Sequence, residues 1–243
     1  MGSTRLPGKS LLPLAGAPLV GRILERVKRC TEVHGIVLAT TQQREDDALE
    51  ALGRRHEVAV FRGSEHDLVD RYYQAAKAFG GQVVVRLPAD NPVPEPGEID
   101  RIVRYHLAGQ SHFSSNLAEV HGNGYPNGIG AEVFDIEVLD QVWNACQDPR
   151  KREHPHLNFY DYATHQDAAP AVYRVGTVEC PPAFRRPDLV LDVNTREEYE
   201  FMAALYASLY PSNPQFSIVE IIDWYDGVHR SHARGFEASC SGR

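Results

Sequence analysis

Two hydrophobic rhythms alternate between residues 19 and 108. Leu19, Val20, Ile23, Leu24 and Val27 recur at helical spacing, which predicts a helix over 18–30. Residues 35–40 form a short apolar run, β-branched at its centre, and predict a buried strand. The pattern continues with a helix over 44–56, a strand over 58–61, a helix over 67–79, a strand over 82–87 and a helix over 98–107. Strands that are apolar on both faces and alternate with helices predict a mostly parallel sheet in an α/β fold. Ligands in such sheets sit beyond the carboxyl ends of the strands. That rule points to Thr40 and Thr41, to Arg62 and Ser64, and to Asp90.

The rhythm changes after residue 110. Residues 122–130 are rich in Gly and Asn and predict a loop, followed by a strand over 132–134 and a helix over 136–146. Residues 150–165 are polar and rich in His and Tyr, and 171–180 reads as an extended edge segment. A last buried strand is expected over 189–193. The helix after it, 195–209, has Thr195 and Glu198 at capping-box spacing. A final helix is expected over 216–225, and a small, polar, mobile tail over 231–243. The organisation expected is one domain over 1–230, with residues 111–180 as a substrate-binding and dimerisation excursion.

Bulk properties narrow the class. The chain has 243 residues, of which 42% are hydrophobic, enough for a sizeable core. The formal net charge of -8 argues against a nucleic-acid partner, which calls for a basic face. No apolar run has the length of a membrane span, and no secretory signal is visible. Cys30, Cys146, Cys180 and Cys240 are scattered without a Cys-x-x-Cys pair and read as reduced thiols of a cytoplasmic protein.

Candidate chemistry begins in residues 1–10. Gly2, Ser3, Thr4, Arg5, Gly8 and Lys9 combine small residues with two cations, and Pro7 stiffens the turn. Such a loop can aim backbone N–H groups and cationic side chains at a polyphosphate. The alternative is a basic terminus without a ligand. Gly8-Lys9-Ser10 fits the end of the Walker loop, but position 3 is Ser3 where that loop needs its first Gly. This disfavours a P-loop kinase or NTPase. The loop also lacks the strand that should precede it, so the chain is expected to begin inside its own binding site. Asp90 follows an apolar strand and could face a Mg²⁺ ion, or cap the turn before Pro92. Asp192 stands in the same relation to the next helix, where Asn194 or Thr195 could supply the cap instead. The histidines at 154, 156, 165, 229 and 232 lack zinc-ligand spacing and read as loop or surface residues.

Taken in order, these segments resemble the cytidylyltransferases that activate sugar acids, above all the spore-coat-polysaccharide type. The resemblance is carried by residues 1–9, Ala39-Thr40-Thr41, Phe61-Arg62-Gly63-Ser64, Asp70-Arg71-Tyr72-Tyr73, Val84-Val85-Arg86 and Ala89-Asp90-Asn91-Pro92. It continues through Ser115-Asn116, Gly130-Ala131-Glu132-Val133-Phe134, Arg152-Glu153-His154 and Leu191-Asp192-Val193-Asn194-Thr195. It implies a Rossmann-like, nucleotide-diphospho-sugar transferase type of fold, CTP as co-substrate, Mg²⁺ as cofactor and a homodimer. It further implies that Arg5 and Lys9 grip the triphosphate and that Asp90 and Asp192 hold the metal. Gly2, Ser3, Thr4, Thr40, Thr41, Arg62 and Ser64 would line the nucleotide, and Tyr125, Glu132, Arg152 and His154 the acceptor. The expected reaction is transfer of CMP to a sugar acid or related acidic acceptor with release of pyrophosphate. A phosphorylated or phosphonate acceptor, or an inactive nucleotide-binding homologue, stands as the alternative. Two features depart from the pattern: the family's first strand with its leading Arg is not seen, and Leu87-Pro88-Ala89-Asp90 stands where Thr-Gly-Asp is commoner.

Overall fold

A computed structural model describes residues 5–109 and 111–228. The chain enters through a loop in which Gly8 takes a left-handed conformation and Leu6 is buried. A two-residue hairpin follows, β1 (Pro13–Leu14) against β2 (Ala17–Pro18), turned by Ala15 and Gly16 at positive φ. Positive φ at both turn positions matches the twist of paired strands. Helix α1 (Leu19–Val27) begins directly after β2. Its apolar face is the one read from the sequence, but Arg22 and Arg26 on the same helix are buried too. Arg22 donates to the Leu14 and Ala15 carbonyls and lies over the Tyr210 ring. Arg26 donates to the carbonyls of Pro94 and Phe216. Each guanidinium is buried because its donors meet fixed carbonyls, which offsets its desolvation.

The units that follow have the expected alternation. Strand β3 (Val37–Thr41) leads to α2 (Asp47–Arg55), β4 (Ala59–Gly63), α3 (Leu68–Phe79), β5 (Val83–Arg86) and α4 (Pro96–Leu107). Strands β6 (Phe113–Ser115) and β7 (Glu132–Asp135) come next, then α5 (Ile136–Ala145) and the short α6 (Pro149–Glu153). A hairpin of β8 (Tyr160–Asp161) and β9 (Gln166–Asp167), the strand β10 (Val175–Gly176) and α7 (Arg196–Leu209) complete the named elements. Residues 218–228 form a further helix, α8. Thr195 and Glu198 make the reciprocal capping box at the start of α7.

The strands fall into a parallel pair, β3 with β4, and a four-stranded sheet in the order β10-β6-β7-β5. Strand β7 is antiparallel to both neighbours, so the sheet is mixed. Residues 111–180, expected as an excursion, supply β6, β7 and β10 of that sheet. The segment 189–193 is not a ladder strand. It makes one isolated bridge, Asn127 to Val190, and Val190 is exposed. Its backbone bonds go to loops instead: the Asn127 N–H donates to the Leu189 carbonyl, the Leu191 N–H donates to the Asn127 carbonyl, and the Val193 N–H donates to the Asp90 carbonyl at 2.8 Å. One core cluster joins α1, α2, α7 and α8, a second lies between α3 and α5, and a third lies under α4. Cys30, Cys146 and Cys180 are free thiols, and burial pushes Cys30 up to about 12 and Cys180 up to about 11. Among the described residues no helix is long and apolar enough to cross a membrane.

Candidate active site

The Val193–Asp90 backbone bond puts the two candidate carboxylate segments side by side at the carboxyl end of β5. Lys9 reaches into that junction. Its ammonium lies 2.7 Å from the Asp90 carboxylate, 2.9 Å from the Val193 carbonyl and 2.9 Å from the Asn194 side-chain oxygen. The Asn194 amide in turn donates to Asp192 at 2.6 Å. The short 3₁₀ turn Lys9–Leu11, opened by left-handed Gly8, aims Lys9 at this point. Burial, and then the neighbouring Asp90 charge, hold the Asp192 carboxyl above the usual carboxylate range. The Asp192 carboxyl therefore feels the Asp90 charge, while Lys9 pairs with Asp90 alone of the two. Among the described residues no group of three or more His, Cys, Asp or Glu is arranged around one point. Paired carboxylates alone are the protein donor set that suits Mg²⁺, which fills its octahedron with phosphate oxygens and water. Arg5 is exposed beside this loop, and Gly2, Ser3 and Thr4 lie outside the described residues.

The carboxyl ends of β3 and β4 form the second part. The Thr40 and Thr41 hydroxyls both donate to Asp46, at 2.7 and 2.6 Å, and the Thr41 N–H does so at 3.0 Å. Burial pushes the Asp46 carboxyl up, but these donors outweigh it and hold it well below the usual range. Arg62 donates to the Thr41 and Gln43 carbonyls and pairs with Asp47 and Glu50. The Ser64 hydroxyl accepts from the Asp67 N–H ahead of α3. Asp46 therefore fixes the shape of this rim. Sequence reasoning missed it because one Asp in a polar helix start carries no distinctive spacing.

The third part is a buried ion pair. Arg86 and Glu132 are direct cross-strand partners on β5 and β7, and their side chains meet at 2.6 Å. Ser115 on β6 faces Glu132 from the other side. The Tyr162 hydroxyl donates to Glu132 at 3.0 Å and is 2.8 Å from the Ser115 hydroxyl. Burial pulls the Arg86 guanidinium down, but the Glu132 carboxylate more than offsets this and leaves it raised. His156 lies 4.0 Å from Glu132 and is pushed below the usual histidine range, chiefly by burial. The Arg86 Nε and His156 Nδ1 are buried with no hydrogen-bond partner. A Cβ at Gly130 would overlap the backbone and side-chain oxygens of Asn116, so only glycine fits at the entry to β7. In the sequence the signal for this pair was a charge at the end of one apolar strand and at the start of another.

Two expected acceptor residues are engaged elsewhere. Tyr125 is fully buried and its hydroxyl donates to Glu98, so it is a core residue under the 122–130 loop. Arg152 donates to Asp67 at 2.6 Å and to the carbonyls of Trp143 and Cys146, tying α6 to α3 and α5. Glu132 sits at the centre of the polar cluster, and His154, next to α6, has its ring 6.0 Å from that of His156. His154 also lines the same cleft as Lys9, Arg86 and Asp90.

Comparisons with known proteins show the family. A cytidylyltransferase family model matches residues 1–161. The spore coat polysaccharide biosynthesis protein SpsF of Bacillus subtilis is 33% identical over 91% of this chain and 89% of its own length. A 3-deoxy-manno-octulosonate cytidylyltransferase of Geobacter sulfurreducens is 34% identical over 42% of this chain and 40% of its own. A solved cytidylyltransferase from Leptospira borgpetersenii superposes with a TM-score of 0.82 at 28% identity, covering 95% of this chain and 92% of that one. The fold is thus that of the Rossmann-like nucleotidyltransferases, and the chain belongs to the cytidylyltransferase family.

Proposed function

We propose that this enzyme transfers CMP from CTP to a sugar acid or related acidic acceptor and releases pyrophosphate. The observation that carries the reading is Lys9, held at the meeting point of the Asp90 and Asp192 segments. An acceptor oxygen attacks the α-phosphorus of CTP, and the bond from that phosphorus to the β-phosphate oxygen breaks. The oxygen loses its proton, and the bonding pair leaves with pyrophosphate. Arg5 and Lys9 offset the charge that grows on the leaving group, which is positioning plus electrostatic stabilisation. A Mg²⁺ ion held by Asp90 and Asp192 would neutralise charge at the α-phosphate.

The remaining roles follow from placement. Thr40, Thr41, Arg62 and Ser64 frame the cytosine and ribose end, their side chains set by Asp46 and the β4 rim. Glu132 and His154 take the acceptor, with Arg86 and His156 as the buried donors beside them. Arg152 positions α6, and Tyr125 supports the loop from within. The resemblance also supports a homodimer in the cytoplasm, and sedimentation of the purified chain checks the first.

The test is pyrophosphate release with Mg²⁺ and each of the four nucleoside triphosphates, against acidic, phosphorylated and phosphonate acceptors. Release with CTP and an acidic sugar alone is expected, and Asp90→Ala should abolish it without a matching loss of Tm. Release with another nucleotide, or an equal collapse of turnover and folding in Asp90→Ala, would overturn the reading. Turnover only with a phosphorylated or phosphonate acceptor would replace the acceptor class.

A further inference from the structure

A lysine ammonium has three N–H donors, and Lys9 meets three acceptors. They are the Asp90 carboxylate at 2.7 Å, the Val193 carbonyl at 2.9 Å and the Asn194 side-chain oxygen at 2.9 Å. Every donor is thus spent inside the protein, and none is left for a phosphate oxygen. A carboxylate, a carbonyl and an amide oxygen are also the donor types that Mg²⁺ and Mn²⁺ take. The Asn194 amide is fixed in this sense. Its oxygen faces Lys9, its NH₂ donates to Asp192 at 2.6 Å, and its own N–H is held by Glu198 at 2.6 Å. Turned over, it would aim a donor at the ammonium and an acceptor at the carboxylate. Lys9 therefore sits as a cation among oxygens that this chain has set in place.

We propose that Lys9 is a resident counter-cation that Mg²⁺ displaces, and that displacement frees the ammonium for the triphosphate. The two cations exclude each other on these oxygens. The ammonium holds them at 2.7 to 2.9 Å. Mg²⁺ draws its oxygens to about 2.0–2.1 Å, and like charges on shared oxygens repel. Charge favours the exchange. The ammonium balances one of the two carboxylates, Asp90, whereas a divalent ion balances both. The movement needed is small. The Lys9 N–H is held by the Leu6 carbonyl and the Lys9 carbonyl by the Leu12 N–H, so the backbone stays and only the flexible four-carbon stem turns. The stem turns into the cleft that Lys9 lines together with Ser10, Arg86 and Asp90. Metal binding thus comes first and arms the triphosphate site, and without metal Lys9 is withheld from it. This inference rests on the roles proposed for Asp90 and Lys9 in cytidylyl transfer and adds the order in which they act.

The test uses the whole chain and requires no turnover. Acylation of Lys9 by an N-hydroxysuccinimide ester is timed by peptide mass spectrometry in chelator, in Mn²⁺, and in Mn²⁺ with CTP. The EPR signal of free Mn²⁺ reports how much is bound, and Lys28, Lys77 and Lys151 are internal references. Lys9 should be protected in chelator and protected again once CTP joins Mn²⁺. In Mn²⁺ alone it should react roughly tenfold faster or more, since one hydrogen bond to a charged group is already worth about that factor. Asp90→Asn should abolish the Mn²⁺ effect. Bound Mn²⁺ that leaves Lys9 protected would overturn the proposal, because metal and ammonium would then hold separate oxygens. A rise shared by the three reference lysines, a rise that survives Asp90→Asn, or no Mn²⁺ binding would overturn it too. Exposure by Mn²⁺ without renewed protection by CTP would support the displacement and overturn the grip on triphosphate, so the two failures are told apart.

Discussion

Lys9 and Asp90 lie 81 positions apart in sequence, yet their side chains meet at 2.7 Å, and both are largely shielded from water. The contact joins the entry loop to the end of β5. Asn194, which also accepts from Lys9, draws in the segment that carries Asp192. If the ammonium balances charge on a leaving pyrophosphate, Lys9→Met loses transition-state stabilisation of a kind worth about 100- to 1,000-fold in kcat. The contact is one of several at that end of the sheet, so Tm should fall by only a few degrees. Pyrophosphate release beside thermal unfolding checks both. Loss of activity only in proportion to unfolding would reduce Lys9 to a structural role.

Asp46 makes the opposite prediction. Its carboxylate accepts from two threonine hydroxyls and the Thr41 amide, which sets the rim of β3 and β4. Asp46→Asn should cost about 1–3 kcal/mol of stability, because the amide must turn a donor toward groups that donate already. The sign with pH is defined. The folded carboxyl lies below its unfolded value, so its stabilisation is complete above about pH 4 and is lost as pH falls through the folded value. Urea unfolding between pH 2 and pH 7 should show a shallower acid limb in the variant. KM for CTP should rise more than kcat falls, since the β3–β4 rim loosens while the Lys9 junction remains.

The alternating elements from 19 to 107 were legible because each helix and strand carries its own hydrophobic period. Thr195 was legible for the same reason, its cap being local. Segment 189–193 misled because an apolar run reports burial, not ladder pairing, and its partners are loops at Asn127 and Asp90. Arg152 lies in a block shared with the family and Tyr125 in the loop that the resemblance assigns to the acceptor, but whether a side chain turns to the cleft or to the interior is decided by tertiary neighbours. Glu98 takes the Tyr125 hydroxyl and Asp67 takes the Arg152 guanidinium. The Arg86–Glu132 pair needed the register of β5 against β7, which no periodicity supplies.

That pair yields a prediction about the acceptor. Arg86 keeps a buried, unpartnered Nε beside the bonded Nη1, and a planar guanidinium is suited to take a carboxylate. Arg86→Lys retains the charge but loses the fork. It should raise KM for the acidic acceptor about tenfold or more and leave KM for CTP near its original value. Glu132→Gln, which leaves Arg86 without its counter-charge, should instead destabilise the fold by about 3–5 kcal/mol. Steady-state kinetics with each substrate varied, together with denaturant midpoints, separates the two effects. An equal change in both KM values for Arg86→Lys would remove the guanidinium from acceptor recognition.

His106 sits on α4 with its ring buried, Nδ1 2.8 Å from the Ser114 hydroxyl and Nε2 3.6 Å from Asp135. Burial lowers its pKa. The Asp135 carboxylate opposes that, half-exposed and poorly placed, and His112 adds to the lowering. The native state therefore binds this proton more weakly than the unfolded chain, whose histidines titrate near 6.5. Because the unfolded state takes up more protons, stability rises with pH through this window, is complete above about pH 7 and is lost as pH falls below about 6.5. One such group contributes a slope of at most about 1.4 kcal/mol per pH unit. His56 and His156 are lowered in the same direction, so the whole chain should weaken more steeply between pH 6.5 and 5 than one site allows. His106→Gln keeps a side chain able to meet Ser114 and cannot take up a proton. Its denaturant midpoint should match the parent below about pH 5.5 more closely than at pH 7.5, with up to one proton removed from the slope. An unchanged slope in the variant would mean that Asp135 cancels the burial and that His106 binds its proton as readily in the fold as in the unfolded chain.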